Sequence, residues 1–198
     1  MEKSGIRHCG TMTIETKRLV LRRLRVDDAG AMFKNWASDP DVTAFLRWPP
    51  HQNVDLTELL LSKWEEQYEK DDYYQWGIEL KEISEVIGTI SVISINPEIE
   101  ECAIGYCIGK AWWHRGIMTE ALNAIIRFLF EVVEFNRIMA RHDVRNPHSG
   151  AVMRNCGMQF EGLLRSASRN NQGICDVGQY AILRSDYDKN PDEGRGLK

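Results

Sequence analysis

The sequence predicts an α/β (α+β) fold in which helices flank one mixed, mostly antiparallel sheet. Stretches with the two-residue period of strands alternate with stretches that carry the three- and four-residue steps of helices. An apolar strand pattern at 102–108 runs through a glycine-bearing loop directly into a helix pattern that reaches Val133. A chain of 198 residues can bury one good hydrophobic core and is short for two. We therefore expect a single domain of this architecture.

The first strand and the first helix are predicted before residue 40. Residues 18–24 are predicted to form a strand in which Leu19 and Leu21 point to the same side. Asp27 or Asp28 can cap the free N–H groups at the start of the helix. The helix carries an apolar stripe that we expect to be buried, consisting of Ala29, Met32, Phe33 and Trp36. Pro40 ends this helix because proline cannot donate a helical hydrogen bond.

A second helix and two strands are predicted next. A loop at 45–53, stiffened by two prolines, precedes a helix at 55–70. The apolar residues that we assign to this helix are Leu56, Leu59, Leu60 and Trp64. Two strands at 74–80 and 86–95 follow, joined by a polar turn, and they lead into the strand at 102–108.

The C-terminal half predicts two more helices and three strands. The helix after the glycine loop has apolar residues on one face, namely Met118, Leu122, Ile125, Ile126, Leu129 and Val133. A strand at 138–142 precedes a helix that Asn146 and Pro147 open. The last two strands are predicted at 159–165 and 177–183. The complete prediction is a sheet of six to seven strands with about four helices.

The domain is expected to span residues 13–188. Residues 1–12 have no periodic pattern over most of their length, so we expect a flexible N-terminal extension, and residues 189–198 are expected to form a flexible tail.

Charge and cysteine usage exclude several classes of function. A net charge of −4 provides no basic surface for nucleic acid and favours a cationic or amine partner. The five scattered cysteines argue against a disulfide framework and for a reducing compartment. No apolar stretch has membrane length, and the first residues lack the core of a signal peptide. We therefore expect a cytoplasmic protein with no nucleic-acid or membrane partner, and with no metal, since its cysteines and histidines lack ligand spacing.

The junction at 111–122 is predicted to bind phosphate. The first N–H groups of a helix have no partner within the helix, and the helix dipole favours negative charge there. Gly116 lacks a Cβ, so a ligand can approach the backbone closely. The residues assigned to this site are Arg115, Gly116, Ile117, Met118 and Thr119.

Three ordered segments carry a family resemblance. Residues 113–118 resemble the Gln/Arg-x-x-Gly-x-Gly/Ala acetyl-CoA motif of the GNAT N-acetyltransferases. The surrounding sequence is similar to the ribosomal-protein N-terminal acetyltransferase branch, of RimJ and RimL type. Residues 16–28 resemble the opening strand and first helix of that branch, and residues 146–162 resemble its last CoA-contacting helix and the next strand. The resemblance spans about 13–187, and three motifs in order are far more specific than one glycine loop.

The resemblance implies a GNAT-type acyl-CoA N-acyltransferase fold with acetyl-CoA as co-substrate. The acetyl group would pass by direct attack in a ternary complex to a primary amine, either a protein N-terminal α-amine or a small-molecule amine. The resemblance also places the stretch from residue 45 to residue 70 beside the acceptor. An α-amine, with a pKa of about 8, is partly neutral at pH 7, whereas a lysine amine near about 10.4 is almost entirely charged. The sequence leaves a homodimer open.

The resemblance also assigns roles along the pantetheine arm of acetyl-CoA. A backbone N–H near Cys107 or Ile108 would polarise the thioester carbonyl. Asn146 would bond the arm, and the Ser149 hydroxyl would donate a proton to the sulfur, directly or through water. From the residues alone, Asn146 and Ser149 are equally explained as helix-start residues.

Two departures from the family pattern concern acid and base. Met153 stands where many GNAT enzymes carry a tyrosine acid, so Ser149 or water must serve. Ala103 stands where branch members often have a glutamate. Glu101, on the same strand face, and Glu79 are replacement candidates for the general base, and a water chain without a dedicated base is an equal alternative. The missing groups also keep open a non-catalytic acetyl-CoA-binding regulatory or interaction module.

Overall fold

A computed structural model of the chain describes residues 5–189 and contains one eight-stranded sheet, ordered β1-β2-β3-β4-β5-β6-β8-β7. The strands are β1 (Ile14–Glu15), β2 (Leu19–Arg22), β3 (Gln75–Leu80), β4 (Glu85–Asn96), β5 (Glu101–Ile108), β6 (Arg137–Asp143), β7 (Gln159–Asn170) and β8 (Gly173–Leu183). Every neighbouring pair is antiparallel except β5 and β6, which are parallel. The predicted fold class is confirmed, with one strand more than the six to seven expected.

The described residues form six α-helices, two more than expected. They are α1 (Ala29–Met32), α2 (Pro40–Thr43), α3 (Val54–Gln67), α4 (Ile117–Glu131), α5 (Pro147–Asn155) and α6 (Arg184–Lys189). Pro40 does end the first helical segment, but it also begins α2, because the Asp39 side chain accepts a hydrogen bond from the Asp41 N–H at 2.8 Å and caps the new turn. Among the helices in residues 5–189, none has the length and hydrophobicity that a membrane span requires.

The two faces of the sheet are covered differently. The first face packs against α4 and holds the largest core, which includes Leu19, Trp76, Ile78, Ile104, Leu122, Ile125, Leu129, Phe130 and Ile138. The second face packs against α1 and α3 through Leu24, Met32, Trp36, Leu61 and Val86. Farther along this second face, over β5, β6 and β8, Ala103, Met139 and Ala181 form a cluster of strand residues alone. We call that region the open face.

Helix α3 turns a different side towards the sheet than we predicted. Leu61 is fully buried, whereas Leu56 and Leu59 are 45% and 55% exposed. Leu60 and Trp64 are partly buried at the edge of the same core. The helix has five apolar residues from position 56 to position 64, and they form two overlapping stripes. Their spacing alone therefore did not determine which side of α3 faces the core.

Strands β7 and β8 are longer than the predicted 159–165 and 177–183. Their pairing shifts register between Phe160 and Gly162 and again between Leu164 and Ser168. Such bulges interrupt the two-residue period from which the strand ends were predicted.

The described part of the predicted N-terminal extension packs against the domain. The Arg7 N–H donates to the Val133 carbonyl at 2.8 Å, the Gly10 N–H donates to the Asp71 carbonyl at 2.7 Å, and Thr11 is only 2% exposed. Residues 1–4, and residues 190–198 of the predicted tail, lie outside the described residues. The domain bounds of 13 and 188 therefore remain a prediction.

Candidate active site

An opening separates the C-terminal halves of β5 and β6. Ile104 and Ala140 form the last pair between these strands, yet β5 continues to Ile108 and β6 continues to Asp143. Beyond Ile104, the edge of β5 that faces β6 is therefore without a partner strand. Unpaired strand edges are sites where an extended ligand can add hydrogen bonds.

The direction of the backbone groups on β5 follows from one hydrogen bond. The Gly109 N–H donates to the Ile87 carbonyl of β4 at 2.9 Å, so Gly109 faces β4. Because successive residues of a strand point their backbone groups to opposite sides, Ile108 and Tyr106 face the opening and Cys107 faces β4. Of the two N–H groups considered from the sequence, the structure turns that of Ile108 towards the opening.

Neighbouring side chains hold this end of β5 in place. The Trp113 indole Nε1 donates to the Ile108 carbonyl at 2.9 Å. The Cys107 side chain packs against the core beneath α1 and α3, where burial raises the pKa of its thiol to about 12. Cys107 therefore remains a protonated thiol and acts as part of the packing.

The start of α4 has the geometry of an anion site. Gly116 precedes the helix with φ +68°, in the left-handed region that favours glycine. Glu120 is the residue whose N–H donates back to the Gly116 carbonyl, at 3.1 Å, so the N–H groups of 117–119 have no partner within the helix. The side chains of Ile117 and Met118 are buried, which leaves their backbone N–H groups as the parts that can meet a ligand.

The acidic residue of this first turn is directed away from the anion site. Glu120 accepts hydrogen bonds from Thr16 Oγ1 at 2.6 Å, from the Arg18 N–H at 2.9 Å and from Arg18 Nε at 2.6 Å. Burial alone would raise the pKa of Glu120, but these hydrogen bonds together hold it below its ordinary value. The carboxylate is thus satisfied by Arg18, which also donates to the Arg115 carbonyl at 2.9 Å.

The Arg115 guanidinium makes no ion pair or side-chain hydrogen bond with the residues that the structure describes. It is therefore the cation beside the α4 start that is available to an incoming phosphate.

The start of α5 lies on the other side of the opening. Asn146 Oδ1 accepts a hydrogen bond from the Ser149 N–H at 3.4 Å, and Pro147 is the first helical residue, as the sequence predicts for a cap. The Tyr106 hydroxyl donates to the Ser149 carbonyl at 2.9 Å, and Ser149 Oγ donates to Tyr106 Oη at 3.2 Å. Ser149 is thereby tied to the unpaired part of β5.

Two histidines bring the starts of α4 and α5 together. The rings of His114 and His148 pack edge to face with centroids 4.5 Å apart. His114 has φ +59°, an uncommon conformation for a residue other than glycine. The predicted phosphate turn and Ser149 therefore lie beside each other, and both border the opening.

The structure does not bring Glu101 to the opening. Glu101 begins β5, three residues before the last pair, which corresponds to about 10 Å along the strand. Its carboxylate accepts from Arg137 Nε at 2.5 Å, and Arg137 also binds Glu161. The hydrogen bonds from Arg137 lower the pKa of Glu161 to about 2.

Glu79 also lies away from the opening. It belongs to β3, two strands from β5, and neighbouring strands are about 4.8 Å apart. Arg22 Nε donates to Glu79 at 2.5 Å and Arg22 Nη1 donates to Asp28 at 2.8 Å. Both glutamates proposed as bases are therefore neutralised by an arginine at a distance from the opening.

On the open face, the turn between β7 and β8 bridges two other parts of the chain. Asn171 Nδ2 donates to the carbonyl of Thr43, the last residue of α2, at 2.9 Å and to that of Trp48, in the following loop, at 2.7 Å. Asn170 Nδ2 donates to Asp143 Oδ2 at 2.7 Å, at the end of β6. We call Asn170 and Asn171 the clasp, since together they join the end of β6 to the loop at 43–48.

Asp143 is the buried anchor of the clasp. Its side chain is 2% exposed and also accepts from Arg145 Nη2 at 2.6 Å. The Arg145 guanidinium, with the Arg145 N–H and Asn170, holds the pKa of Asp143 well below its ordinary value. This carboxylate is therefore ionised and fully hydrogen-bonded.

Tyr106, Asp143 and Asn171 were not predicted from the sequence. Strand alternation does place Tyr106 on the face of Ile104 and Ile108, but its partner Ser149 is 43 residues away. A pair of adjacent asparagines is an ordinary turn signal, so nothing in the sequence distinguishes Asn171 from any other turn residue. Within residues 5–189, no group of three or more His, Cys, Asp or Glu side chains could hold a metal ion.

Comparisons with known proteins agree with this geometry. The family profile described as "Acetyltransferase (GNAT) domain" matches residues 18–159. The chain is 30% identical over 175 residues to the uncharacterized N-acetyltransferase p20 of Bacillus licheniformis, covering 88% of this chain and 98% of that protein. It is 28% identical over 158 residues to the [ribosomal protein uS5]-alanine N-acetyltransferase of Escherichia coli, covering 75% and 79%.

A solved structure has the same fold. The microcin C7 self immunity acetyltransferase MccE, determined in complex with acetyl-CoA and AMP, superposes with a TM-score of 0.76 at 20% identity. The superposition covers 84% of this chain and 93% of that one.

Proposed function

The chain belongs to the GNAT acetyltransferase family, and we propose that it acetylates the N-terminal α-amine of a protein of the ribosomal-protein type. Membership makes it an acetyl-CoA-dependent N-acetyltransferase, so the non-catalytic module is not retained. The observation that supports acetyl transfer here is the opening beyond Ile104 and Ala140, beside which the free strand edge, the turn at 115–119 and the Ser149 hydroxyl lie.

The residues around the opening fit acetyl-CoA. The turn at 115–119 offers unpaired N–H groups and the free Arg115 guanidinium to a pyrophosphate. The edge of β5 at Tyr106 and Ile108 offers main-chain groups to an amide-bearing arm, and Asn146 lies where the arm would pass α5. Bound acetyl-CoA supplies the acetyl group as a thioester.

Two groups of the chain act on that thioester in our proposal. The Ile108 N–H donates a hydrogen bond to the carbonyl oxygen, where negative charge develops as the amine attacks. The Trp113 bond to the Ile108 carbonyl helps to hold that end of the strand, so the donor is oriented before the substrate arrives. Ser149 Oγ supplies a proton to the departing sulfur, because Met153 leaves no tyrosine in the usual place.

The acceptor approaches from the open face. The α4 and α5 side of the sheet is assigned to the donor, and the open face has an apolar floor of Ala103, Met139 and Ala181. The E. coli relative is named as an enzyme that acetylates the alanine of a ribosomal protein, which supports a protein N-terminus as acceptor. We place the reaction in the cytoplasm, where a ribosomal protein would be encountered.

An α-amine suits a site without a nearby carboxylate base. With a pKa of about 8, part of it is neutral at pH 7, so water suffices to accept its proton. This scheme needs no proton acceptance by Glu101 or Glu79. That is consistent with the ion pairs that each of them forms with an arginine.

A small-molecule amine is the second candidate acceptor. The clasp joins Asn171 to the loop at 43–48, and we infer that this bridge limits the size of an acceptor on the open face, which would favour a small amine. Both candidates share the same donor site and the same chemistry.

A panel of acceptors tests the proposal. CoA release is measured with acetyl-CoA and peptides that begin with free Ala or Ser, with the same peptides N-acetylated but carrying an internal lysine, and with small amines including polyamines. We expect turnover with the free N-terminal peptides and acetylation of the α-amine by mass spectrometry. Turnover with small amines alone would replace the proposed acceptor by the second candidate.

A further inference from the structure

Tyr106 and Ser149 form a two-way hydrogen-bonded pair at the mouth of the opening. Tyr106 lies two residues beyond the last β5–β6 pair, and its hydroxyl meets both the carbonyl and the hydroxyl of Ser149, at 2.9 and 3.2 Å. The pair joins the unpaired edge of β5 to the first turn of α5.

The protons in this pair have a fixed direction. A carbonyl oxygen can only accept, so the single proton of the Tyr106 hydroxyl is donated to the Ser149 carbonyl. The Ser149 hydroxyl must then donate to Tyr106 Oη, and the lone pairs of Ser149 Oγ stay open to the site. Burial raises the pKa of Tyr106 above its ordinary value, so the phenol keeps its proton throughout.

We propose that Tyr106 is the positioning residue that holds Ser149 Oγ at the sulfur of the donor and sets the direction of its proton. The proposal rests on the role of Ser149 in the proposed function.

The proton balance closes through Ser149 and the water that accepts the amine proton. The carbon–nitrogen bond forms, the carbon–sulfur bond breaks and its electron pair goes to sulfur. The Ser149 hydroxyl turns from Tyr106 and gives its own proton to sulfur, and the water passes the proton taken from the nitrogen to Ser149 Oγ. Tyr106 loses one accepted hydrogen bond during this turn and keeps the bond that it donates to the Ser149 carbonyl.

A second tyrosine serves as a control that distinguishes the positioning of Ser149 from the general attachment of α5 to the sheet. Tyr180 of β8 also reaches α5, since its hydroxyl accepts from Arg154 Nη1 at 2.9 Å, and it is buried, whereas Tyr106 is partly buried. Tyr180→Phe therefore removes a hydroxyl that ties the sheet to α5 without touching Ser149.

The experiment compares Tyr106→Phe, Ser149→Ala, the double variant and Tyr180→Phe. Binding of CoA and of desulfo-CoA is measured by calorimetry, because the ratio of the two dissociation constants reports the contact with sulfur. In the wild type we expect CoA to bind about fivefold more tightly, as one hydrogen bond allows. Tyr106→Phe and Ser149→Ala should each bring the ratio close to one, and Tyr180→Phe should retain it.

Turnover is measured on the amine that the acceptor panel identifies. Tyr106→Phe should lower kcat by about tenfold to a hundredfold with the KM for acetyl-CoA within about twofold, because Ser149 is still present and only part of the contribution of a positioned proton donor, about a hundredfold to ten-thousandfold, is lost. The double variant should be no slower than Ser149→Ala, because Tyr106 acts through Ser149.

Three outcomes would overturn the proposal. They are equal effects of Tyr106→Phe and Tyr180→Phe, additive losses in the double variant, and an unchanged binding ratio in Tyr106→Phe or in Ser149→Ala. If the wild type acetylates no protein N-terminus, the proposed acceptor fails, and the binding ratio still decides the role of Tyr106.

Discussion

Ile104 and Ala140 are the last residues that pair across the parallel strands β5 and β6. The connection between these strands runs through α4, whose apolar face packs on the sheet. The point where the strands part is therefore covered on the α4 side by the starts of two helices, α4 and α5, which the His114–His148 contact holds side by side. The separation of β5 and β6 therefore places the backbone edge of β5, the start of α4 and Ser149 next to one another, and no distant loop contributes.

Replacing Gly116 with alanine should weaken CoA binding by about tenfold, or about 1.4 kcal/mol. The left-handed φ of +68° strains any residue with a Cβ, by about 1 to 2 kcal/mol, and the new methyl lies beside the unpaired N–H groups. Among residues 5–189, chain neighbours aside, that Cβ would meet only Arg18 Nη2 at 3.8 Å, so the loss would report the ligand rather than a clash. Calorimetric titration with CoA measures the change.

Gly157→Ala is the matched control for this change. Gly157 has φ +78°, follows α5 and has a similarly open surrounding, with Ile182 Cδ1 at 3.7 Å. It should lose comparable stability and keep its affinity for CoA. Equal losses of CoA affinity in the two variants would show that the start of α4 is not the phosphate site.

Arg115→Gln should weaken CoA binding about threefold to tenfold and reduce its dependence on salt. The guanidinium is free of described partners, so its charge is available to phosphate, and an exposed charge contact is screened by added salt. Titrations with CoA at 50 and 500 mM salt measure both effects. Arg165→Gln, on the bulge of β7, is the control, and an unaltered salt dependence in Arg115→Gln would contradict the assignment.

The strands and helices around the proposed donor site are the elements that the sequence predicted best. Its features are local, because Gly116 precedes a helix whose apolar stripe is unmistakable, and Asn146 with Pro147 opens the next helix. The corresponding strands and helices were predicted within a few residues. The local sequence pattern could not predict the shortest elements, because β1 has two residues and α2 has four, too few to show a period.

Other features around the opening and on the open face depend on contacts between residues far apart in the sequence. Asn171 meets Thr43 across 128 residues, and Tyr106 meets Ser149 across 43. Glu101 shares the strand face that alternation predicted, but its partner Arg137 comes from the neighbouring strand. A single sequence contains no periodicity that reports such pairs, so these features appear only in the folded chain.

Asn171→Ala should loosen the clasp on both of its sides. The change removes two side-chain hydrogen bonds, to Thr43 and Trp48, which together are worth about 1 to 3 kcal/mol. Hydrogen exchange should accelerate together in residues 170–173 and 43–48, and the KM for the acceptor should change while CoA affinity stays constant. Gln172→Ala, in the same turn, should alter neither segment. Faster exchange in the hairpin alone would mean that the clasp does not bridge to the loop.

Asp143→Asn should lower the free energy of unfolding at pH 7 by about 2 kcal/mol, the scale of hydrogen bonds to a buried charge. The folded pKa of Asp143 lies below its unfolded value of about 3.9. Its contribution is therefore present above pH 4 and is lost as the pH falls further. Urea unfolding between pH 2 and 7 should show a flatter acid limb in the variant, that is, a smaller loss of the free energy of unfolding as the pH falls below 4.

Asp41→Asn is the control for Asp143, because Asp41 is 60% exposed in its ion pair with Lys110. Exposed pairs contribute little to stability, so this variant should follow the wild-type acid limb. An Asp143→Asn protein with the wild-type acid limb would mean that the buried carboxylate does not anchor the clasp.

Glu101→Gln and Glu79→Gln should each retain kcat/KM within about threefold, because neither carboxylate reaches the opening and each is bound by an arginine. A positioned general base contributes about a hundredfold to ten-thousandfold, so the two outcomes are far apart. The rise of kcat/KM with pH should follow the pKa of the acceptor amine, and an acceptor of lower amine pKa should shift that rise to lower pH in the wild type and in both variants alike. If Glu101→Gln instead lost a hundredfold and the rise no longer followed the amine, Glu101 would have to leave Arg137 and reach the opening during turnover. The water-only route would then be replaced by a strand-end carboxylate that moves on acceptor binding.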